Sequence, residues 1–186
     1  MAPLKAQLAS GNAHKLDELR AALPGWELEL LETAELYPPE AGATYYENAR
    51  VKAEFGRRVG GAHVWSLGED SGIEVAALGG RPGIESARWA GDGVARLLEE
   101  LGGIADRRAR YVCELVALSP TGEERRGTGV LGGSVATERR GEEGFGYDPV
   151  FVPDGEERTV AELGNAWKRA NSHRARAAAA LVEAVG

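Results

Sequence analysis

The stretch Trp65–Gly83 reads WSLGEDSGIEVAALGGRPG. Its pattern is an apolar strand, an acidic pair, Ser-Gly, a second apolar strand and a Gly-Gly-Arg-Pro-Gly turn. Val64–Leu67 and Ile73–Leu78 are expected as separate strands, with Glu69 and Asp70 where the first one ends. Side chains alternate along an extended chain, so these neighbouring carboxylates face opposite ways. One can reach a cleft while the other looks elsewhere. Carboxylates at a strand end followed by Ser-Gly suit a hard cation and a phosphate. Taken alone, the same four residues also describe an ordinary acidic turn.

On either side of this stretch the local signals are clearer. Leu4–Ala9 is expected as a short strand, followed by a helix from Asn12 or Ala13 to Leu23, with Leu16, Leu19 and Leu23 on one face and Pro24-Gly25 as the stop. Trp26–Leu31 reads as a strand and Leu36–Gly42 as a Pro-rich acidic loop. Thr44 and Glu47 form a capping box opening a helix over Thr44–Val59. A short helix is expected over Gly93–Leu101. Arg108–Leu118 and Glu124–Leu131 pattern as a hairpin around Ser119–Gly122, with Ser134–Thr137 extending its sheet. Pro149–Val152 reads as a short extended piece, and Ser172 caps a last helix running to Val185. The order opens strand-helix-strand-helix and passes into antiparallel strands, which predicts an α/β fold around a mixed, partly antiparallel sheet.

At 186 residues the chain is one domain of ordinary size, or two lobes around one cleft, and it can bury a core without staples. Apolar residues make up 43% and charged residues 27%, a soluble globular composition. The net charge of −7 and the scattered arginines argue against a nucleic-acid polymer as partner. A local cluster of cations can still hold a small anion. The single cysteine, Cys113, lies in the apolar run Tyr111–Val116 and is expected as a buried packing residue. No apolar run reaches the length of a membrane span, so no membrane partner is expected. Met1–Lys5 lacks the apolar segment of a secretory signal, which points to a cytoplasmic address by default.

Four further clusters carry chemistry. Ser10-Gly11-Asn12-Ala13-His14-Lys15 lies between the first strand and first helix, where backbone N–H groups and the positive end of the helix dipole favour an anion. It lacks the Gly-Lys-Ser/Thr ending of a Walker loop, and a plain strand-to-helix turn has the same composition. Asn48 and Lys52 are four apart and share a helix face, from which Lys52 can reach a phosphate or simply water. Gly144–Pro149, GFGYDP, sets two aromatic rings beside two glycines and a carboxylate; the rings suit either stacking on a flat ligand or covering the core. Lys168–Arg174, KRANSHR, puts His173 and Arg174 in the first turn of the last helix, where the dipole disfavours cations. Such local conflicts gather at working sites.

Taken in order, SGNAHK, ATYYENARVKA, GEDSGIEVAALGGRPGIESARWAG, GFGYDPVF and KRANSHR resemble the non-canonical purine nucleoside triphosphate pyrophosphatases, the inosine triphosphate or dITP/XTP pyrophosphatase family. The resemblance runs from Ser10 to about Leu181. It implies an elongated α/β fold, one domain over residues 1–186 of two lobes with the active-site cleft between them, and a homodimer. It also implies Mg²⁺-dependent hydrolysis of ITP, dITP or XTP between the α- and β-phosphates, which cleanses the nucleotide pool.

By the same resemblance, Ser10, Gly11, Asn12, Ala13, His14 and Lys15 cradle the triphosphate and Lys52 adds a phosphate contact. Glu40 and Asp70 hold the metal, Asp70 is the general base, and Ser71 touches the substrate beside it. Arg88 is a basic phosphate ligand. Phe145, Gly146, Tyr147 and Asp148 form the base-binding loop, with Phe145 as the stacking ring. Lys168, His173 and Arg174 read the purine edge. Bacterial members usually carry Asp-Asp where this chain has Glu69-Asp70, and an acidic residue where Trp167 precedes Lys168. The resemblance assigns no task to Glu69.

Overall fold

The computed structural model describes residues 3–186. A six-stranded mixed sheet in the order β2-β1-β3-β4-β5-β6 forms the frame, an α/β fold as expected. Its strands are β1 Leu4–Leu8, β2 Trp26–Leu30, β3 Trp65–Val75, β4 Arg108–Leu118, β5 Glu124–Val135 and β6 Phe151–Pro153. The helices are α1 Ala13–Ala22, α2 Tyr45–Gly60, α3 Gly93–Glu100, α4 Val160–Asn171 and α5 His173–Val185. β1 runs parallel to both β2 and β3, while β5 and β6 are antiparallel.

Contacts divide the chain into two compact units. One comprises Met1–Asp70, Cys113–Gly129 and Arg174–Gly186; the other comprises Ser71–Val112 and Val130–His173. The core of the first is built on Leu8, Leu19, Leu67, Leu115 and Leu181. That of the second is built on Ile73, Leu97, Tyr111 and Phe151, with the Tyr111 and Phe151 ring centroids 4.3 Å apart.

Within the first unit, strand order reverses at β1. The chain leaves β1 through α1 to β2 on one side, then returns through α2 to β3 on the other. In open α/β sheets the carboxyl end of a strand at such a switch point is where ligands bind. The register pairs Leu8 with Leu67, and the Ala9 N–H donates to the Leu67 carbonyl at 2.8 Å. The Ser10–Lys15 turn therefore begins alongside the acidic stretch of β3.

The structure corrects the expectation for that stretch. Trp65–Val75 is one continuous strand, and Glu69 and Asp70 lie in its middle instead of at an end. The flanking glycines do not turn the chain. A Cβ at Gly68 would overlap the Ala49 carbonyl of α2, and one at Gly72 would overlap the Gly83 carbonyl. They are glycines because other backbone packs directly on the strand. The expected second strand stops at Val75, and Ala76–Leu78 is a short 3₁₀ turn.

The region before KRANSHR is helical. Thr159 caps α4 with a complete capping box to Glu162, and Lys168 and Arg169 lie in the last turn of that helix. Gly164 breaks that helix at φ 87°, and the Glu143 carboxylate accepts the Asn165 N–H at 2.8 Å to restart it. The caps and the hairpin hold. Asn12 caps α1, Thr44 and Glu47 close their box on α2, and β4 and β5 are joined through the Ser119–Glu123 turn. Ser134 belongs to β5 itself, and Pro149 precedes β6 instead of joining it. Cys113 is buried, and burial, reinforced by the neighbouring Glu69 carboxylate, pushes its thiol up, so it is an inert packing residue. Among the described residues no helix is long and apolar enough to cross a membrane.

Candidate functional site

In the first unit the chemistry is organised by Glu69 and Asp70. Because β3 is extended, their side chains point to opposite faces, and each meets a lysine. Close packing of α2 over Gly68 brings Asn48 and Lys52, one turn apart on that helix, to Asp70. Lys52 Nζ donates to Asp70 Oδ1 at 3.1 Å and to the Glu69 carbonyl at 3.0 Å, and it pairs with Glu40 Oε1. Asn48 Nδ2 donates to Asp70 Oδ2 at 3.0 Å, while Asn48 Oδ1 accepts the Gly42 N–H at 2.9 Å. One buried amide thus ties Asp70 to the loop that carries Glu40.

The electrostatics of Lys52 and Asp70 follow from these neighbours. Burial works against the charge on Lys52, yet the carboxylates of Asp70, Glu69 and Glu40 outweigh it and hold the ammonium above the ordinary lysine range. Burial pushes Asp70 up; Lys52 and the Asn48 bond oppose this, but Glu40 and Glu69 add to the rise. Asp70 therefore holds a proton more readily than an exposed aspartate, as a candidate proton acceptor would.

The opposite face of β3 is different. Glu69 is buried, and its Oε2 pairs with Lys15 Nζ at 2.5 Å. Its Oε1 accepts from Arg174 Nε at 3.1 Å and from Arg174 Nη2 at 3.0 Å. Arg174 Nη1 donates to Glu18 of α1 at 2.6 Å. Burial alone would raise Glu69, but Lys15, Arg174 and Lys52 hold it well below the usual carboxylate range. The cation misplaced against the α5 dipole is thus satisfied by two buried carboxylates.

Beside this face, Asn12 Oδ1 accepts the His14 and Lys15 N–H groups at 3.0 and 3.3 Å, and Ser10 Oγ accepts the Asn12 N–H at 3.1 Å. An anion arriving at the start of α1 competes with those side-chain oxygens. Gly11, Ala13 and His14 are exposed on the same turn.

In the second unit the buried Asp148 carboxylate organises the aromatic loop. It accepts from Lys168 Nζ at 2.6 Å, from the Phe145 N–H at 2.8 Å and from the Tyr111 hydroxyl at 3.3 Å. The Lys168 ammonium lies 3.8 Å from the Phe145 ring centroid, a cation–π contact that sets the ring and the ammonium as one piece. Gly146 is exposed at the tip, whereas Tyr147 is buried. The Tyr147 hydroxyl donates to the Ser86 carbonyl at 3.0 Å, and burial pushes its pKa up to about 12. Of the two rings, Tyr147 covers core and Phe145 is left half-buried. His173 stacks on Tyr111, centroids 4.5 Å apart. Ser71 is half-buried on β3, and Arg88 is exposed after the 3₁₀ turn Gly83–Glu85.

A divalent ion is tested by the donors present. Among the described residues no group of three or more His, Cys, Asp and Glu is gathered to enclose a metal. Glu40 and Asp70 do converge on one cationic atom, Lys52 Nζ. Two hard carboxylates meeting at a point of positive charge fit Mg²⁺, which is commonly bound through one or two carboxylates with water and substrate phosphate completing its shell.

What the sequence does not show is Glu18 and the partners of Asn48 and Glu69. Asn48 was legible as the neighbour of Lys52 on one face, and Glu18 as the residue three after Lys15; nothing local linked either to a carboxylate or to Arg174.

Known proteins bear on this arrangement. The chain is 45% identical to a dITP/XTP pyrophosphatase of Deinococcus deserti, over 94% of this chain and 86% of that one. It is 41% identical to a dITP/XTP pyrophosphatase of Bdellovibrio bacteriovorus, over 95% and 94%. The solved structure of a HAM1 protein from Coxiella burnetii superposes with a TM-score of 0.82 at 33% identity, covering 98% of both chains. The model of the Ham1 family matches residues 6–184, a span that takes in both faces of β3, the aromatic loop and KRANSHR, and the chain belongs to that family.

Proposed function

We propose that this protein hydrolyses purine nucleoside triphosphates with deaminated bases, ITP, dITP and XTP, to the monophosphate and pyrophosphate. The observation that carries the reading is the pair of adjacent β3 carboxylates, each holding a lysine, beside the turn at the start of α1. The names of the relatives, dITP/XTP pyrophosphatase, support the same chemistry.

In this reading one domain supplies both halves of the recognition. Ser10–Lys15, Lys52, Ser71 and Arg88 bind the triphosphate. Phe145–Asp148, Lys168 and His173 hold the base. Asp70 accepts the proton of the attacking water as its oxygen bonds to the α-phosphorus. The bond from that phosphorus to the bridging oxygen breaks, and pyrophosphate leaves with its charge met by Lys15 and Lys52. Glu40 and Asp70 would hold Mg²⁺, which neutralises phosphate charge and lowers the pKa of bound water. Lys168 can only donate. It matches the 6-oxygen of hypoxanthine or xanthine, whereas the 6-amino group of adenine would leave donors unpaired at about 1–3 kcal/mol each. A homodimer in the cytoplasm belongs to the same reading, and light scattering checks the dimer.

The test is incubation with ITP, XTP, GTP and ATP plus Mg²⁺ and identification of the products. Pyrophosphate with IMP or XMP is expected. No turnover of ITP or XTP would sink the reading, and orthophosphate would point to another chemistry.

A further inference from the structure

We propose that Glu69 is a positioning residue of the phosphate site, its one carboxylate fixing both the Lys15 ammonium and the Arg174 guanidinium. The inference rests on the reading of the Ser10–Lys15 turn as a phosphate cradle.

The four charges form a chain that starts and ends on α1. Lys15 on α1 meets Glu69 on β3, Glu69 meets Arg174 on α5, and Arg174 returns to Glu18 on α1. Two positive and two negative groups balance. Side-chain exposure is 17% for Lys15, 0% for Glu69, 2% for Arg174 and 10% for Glu18, so Lys15 is the member most open to a ligand. A free lysine carries four rotatable bonds and about 2 kcal/mol of rotamer entropy. Here its far end is anchored on a carboxylate that cannot itself move, because Arg174 holds the other oxygen. An ammonium has three donors, and its pairing with Glu69 leaves it able to meet a phosphate from a set position.

Glutamine cannot substitute. A carboxylate presents acceptors to both cations, whereas an amide presents one acceptor and one NH₂. Glu69→Gln would leave either Lys15 or Arg174 facing a donor. Lys15 and Glu18 are three apart on α1, within side-chain reach of one another. A displaced Lys15 would therefore compete with Arg174 for Glu18 and leave the turn.

Binding of inorganic pyrophosphate, measured calorimetrically without divalent ions, reads the cradle independently of turnover. Glu69→Gln is expected to weaken it about tenfold, within the range for directly contacting pairs. Glu69→Asp, which keeps the charge, should recover part of that loss. In a Lys15→Met background, Glu69→Gln should change binding less than about twofold, because the residue it positions is gone. Tighter or unchanged binding by Glu69→Gln would overturn the proposal, since removal of a negative charge would then dominate. Equal losses with and without Lys15 would also overturn it, by showing a general structural role. If Glu69→Gln does not fold, Glu69→Asp enters the same cycle: a loss confined to the Lys15 background supports the proposal and equal losses defeat it. Failure of the unaltered protein to bind pyrophosphate would overturn the cradle reading, and this inference with it. Binding with additive losses would overturn the inference alone.

Discussion

Glu69 and Asp70 are consecutive residues of one strand, yet the two faces of β3 treat them oppositely. Glu69 is met by the full charges of Lys15 and Arg174 and is held well below the usual carboxylate range. Asp70 shares the single ammonium of Lys52 with Glu40 and is pushed up by burial. The difference is one of cation count. A buried carboxylate with two cations is a fixed anion that organises what surrounds it. A buried carboxylate with half a cation is under-neutralised and gains from a proton or a divalent ion. The proposed roles follow this difference: positioning for Glu69 and proton transfer for Asp70.

The comparison can be broken most directly at Asp70. Asp70→Asn is expected to lower kcat by about 10²–10⁴-fold, the usual worth of a general base, while ITP still binds. Steady-state pyrophosphate release with a parallel binding titration measures both, and retained turnover would remove Asp70 from the role of base. On the other face the expected cost lies in stability. Arg174→Met removes the buried guanidinium that Glu69 and Glu18 share and should lower unfolding free energy by about 3–5 kcal/mol, read from urea denaturation at neutral pH. A loss no larger than that of a surface ion pair would show that the chain of charges is not structural.

Asn48→Ala sharpens the Asp70 side. It removes a donor to a carboxylate, worth about 1.5–3 kcal/mol, and frees the Glu40 loop from Asp70. The Mg²⁺ concentration giving half-maximal activity should rise by about tenfold, and direct Mn²⁺ binding should weaken in step. An unmoved midpoint would mean that Asn48 does not hold the two carboxylates together. The smallest effect is expected away from β3. Phe145→Ala should raise KM by roughly fivefold to tenfold, about 1 kcal/mol of ring stacking, with kcat changed less. An unchanged KM would remove the stacking role and leave Phe145 as a partner of Lys168 only.

Legibility differed along the chain for identifiable reasons. Thr44 with Glu47 announced α2, and Asn12 announced α1, because caps are satisfied by residues within one turn. The same signal stands at Thr159 with Glu162 and marks α4, although Gly164 inside it interrupts the helical pattern. Lys15 and Lys52 were legible as cations near a phosphate, but their division between Glu69 and Asp70 was not. Nor was the link to Arg174, which lies 105 residues from Glu69.

By itself the sequence determined the α/β class, the capped helices, the hairpin and the five ordered motifs that carry the family resemblance. Each of these depends on neighbours a few residues apart or on residue identity alone. Only the tertiary structure decided that GEDSG is the middle of a strand and not a turn. A glycine that admits a crossing helix and a glycine that bends the chain are the same letter, and the α2 backbone over Gly68 distinguishes them. The tertiary structure likewise decided which carboxylate meets two cations and which shares one, because a buried acid takes its character from the cations the fold brings to it.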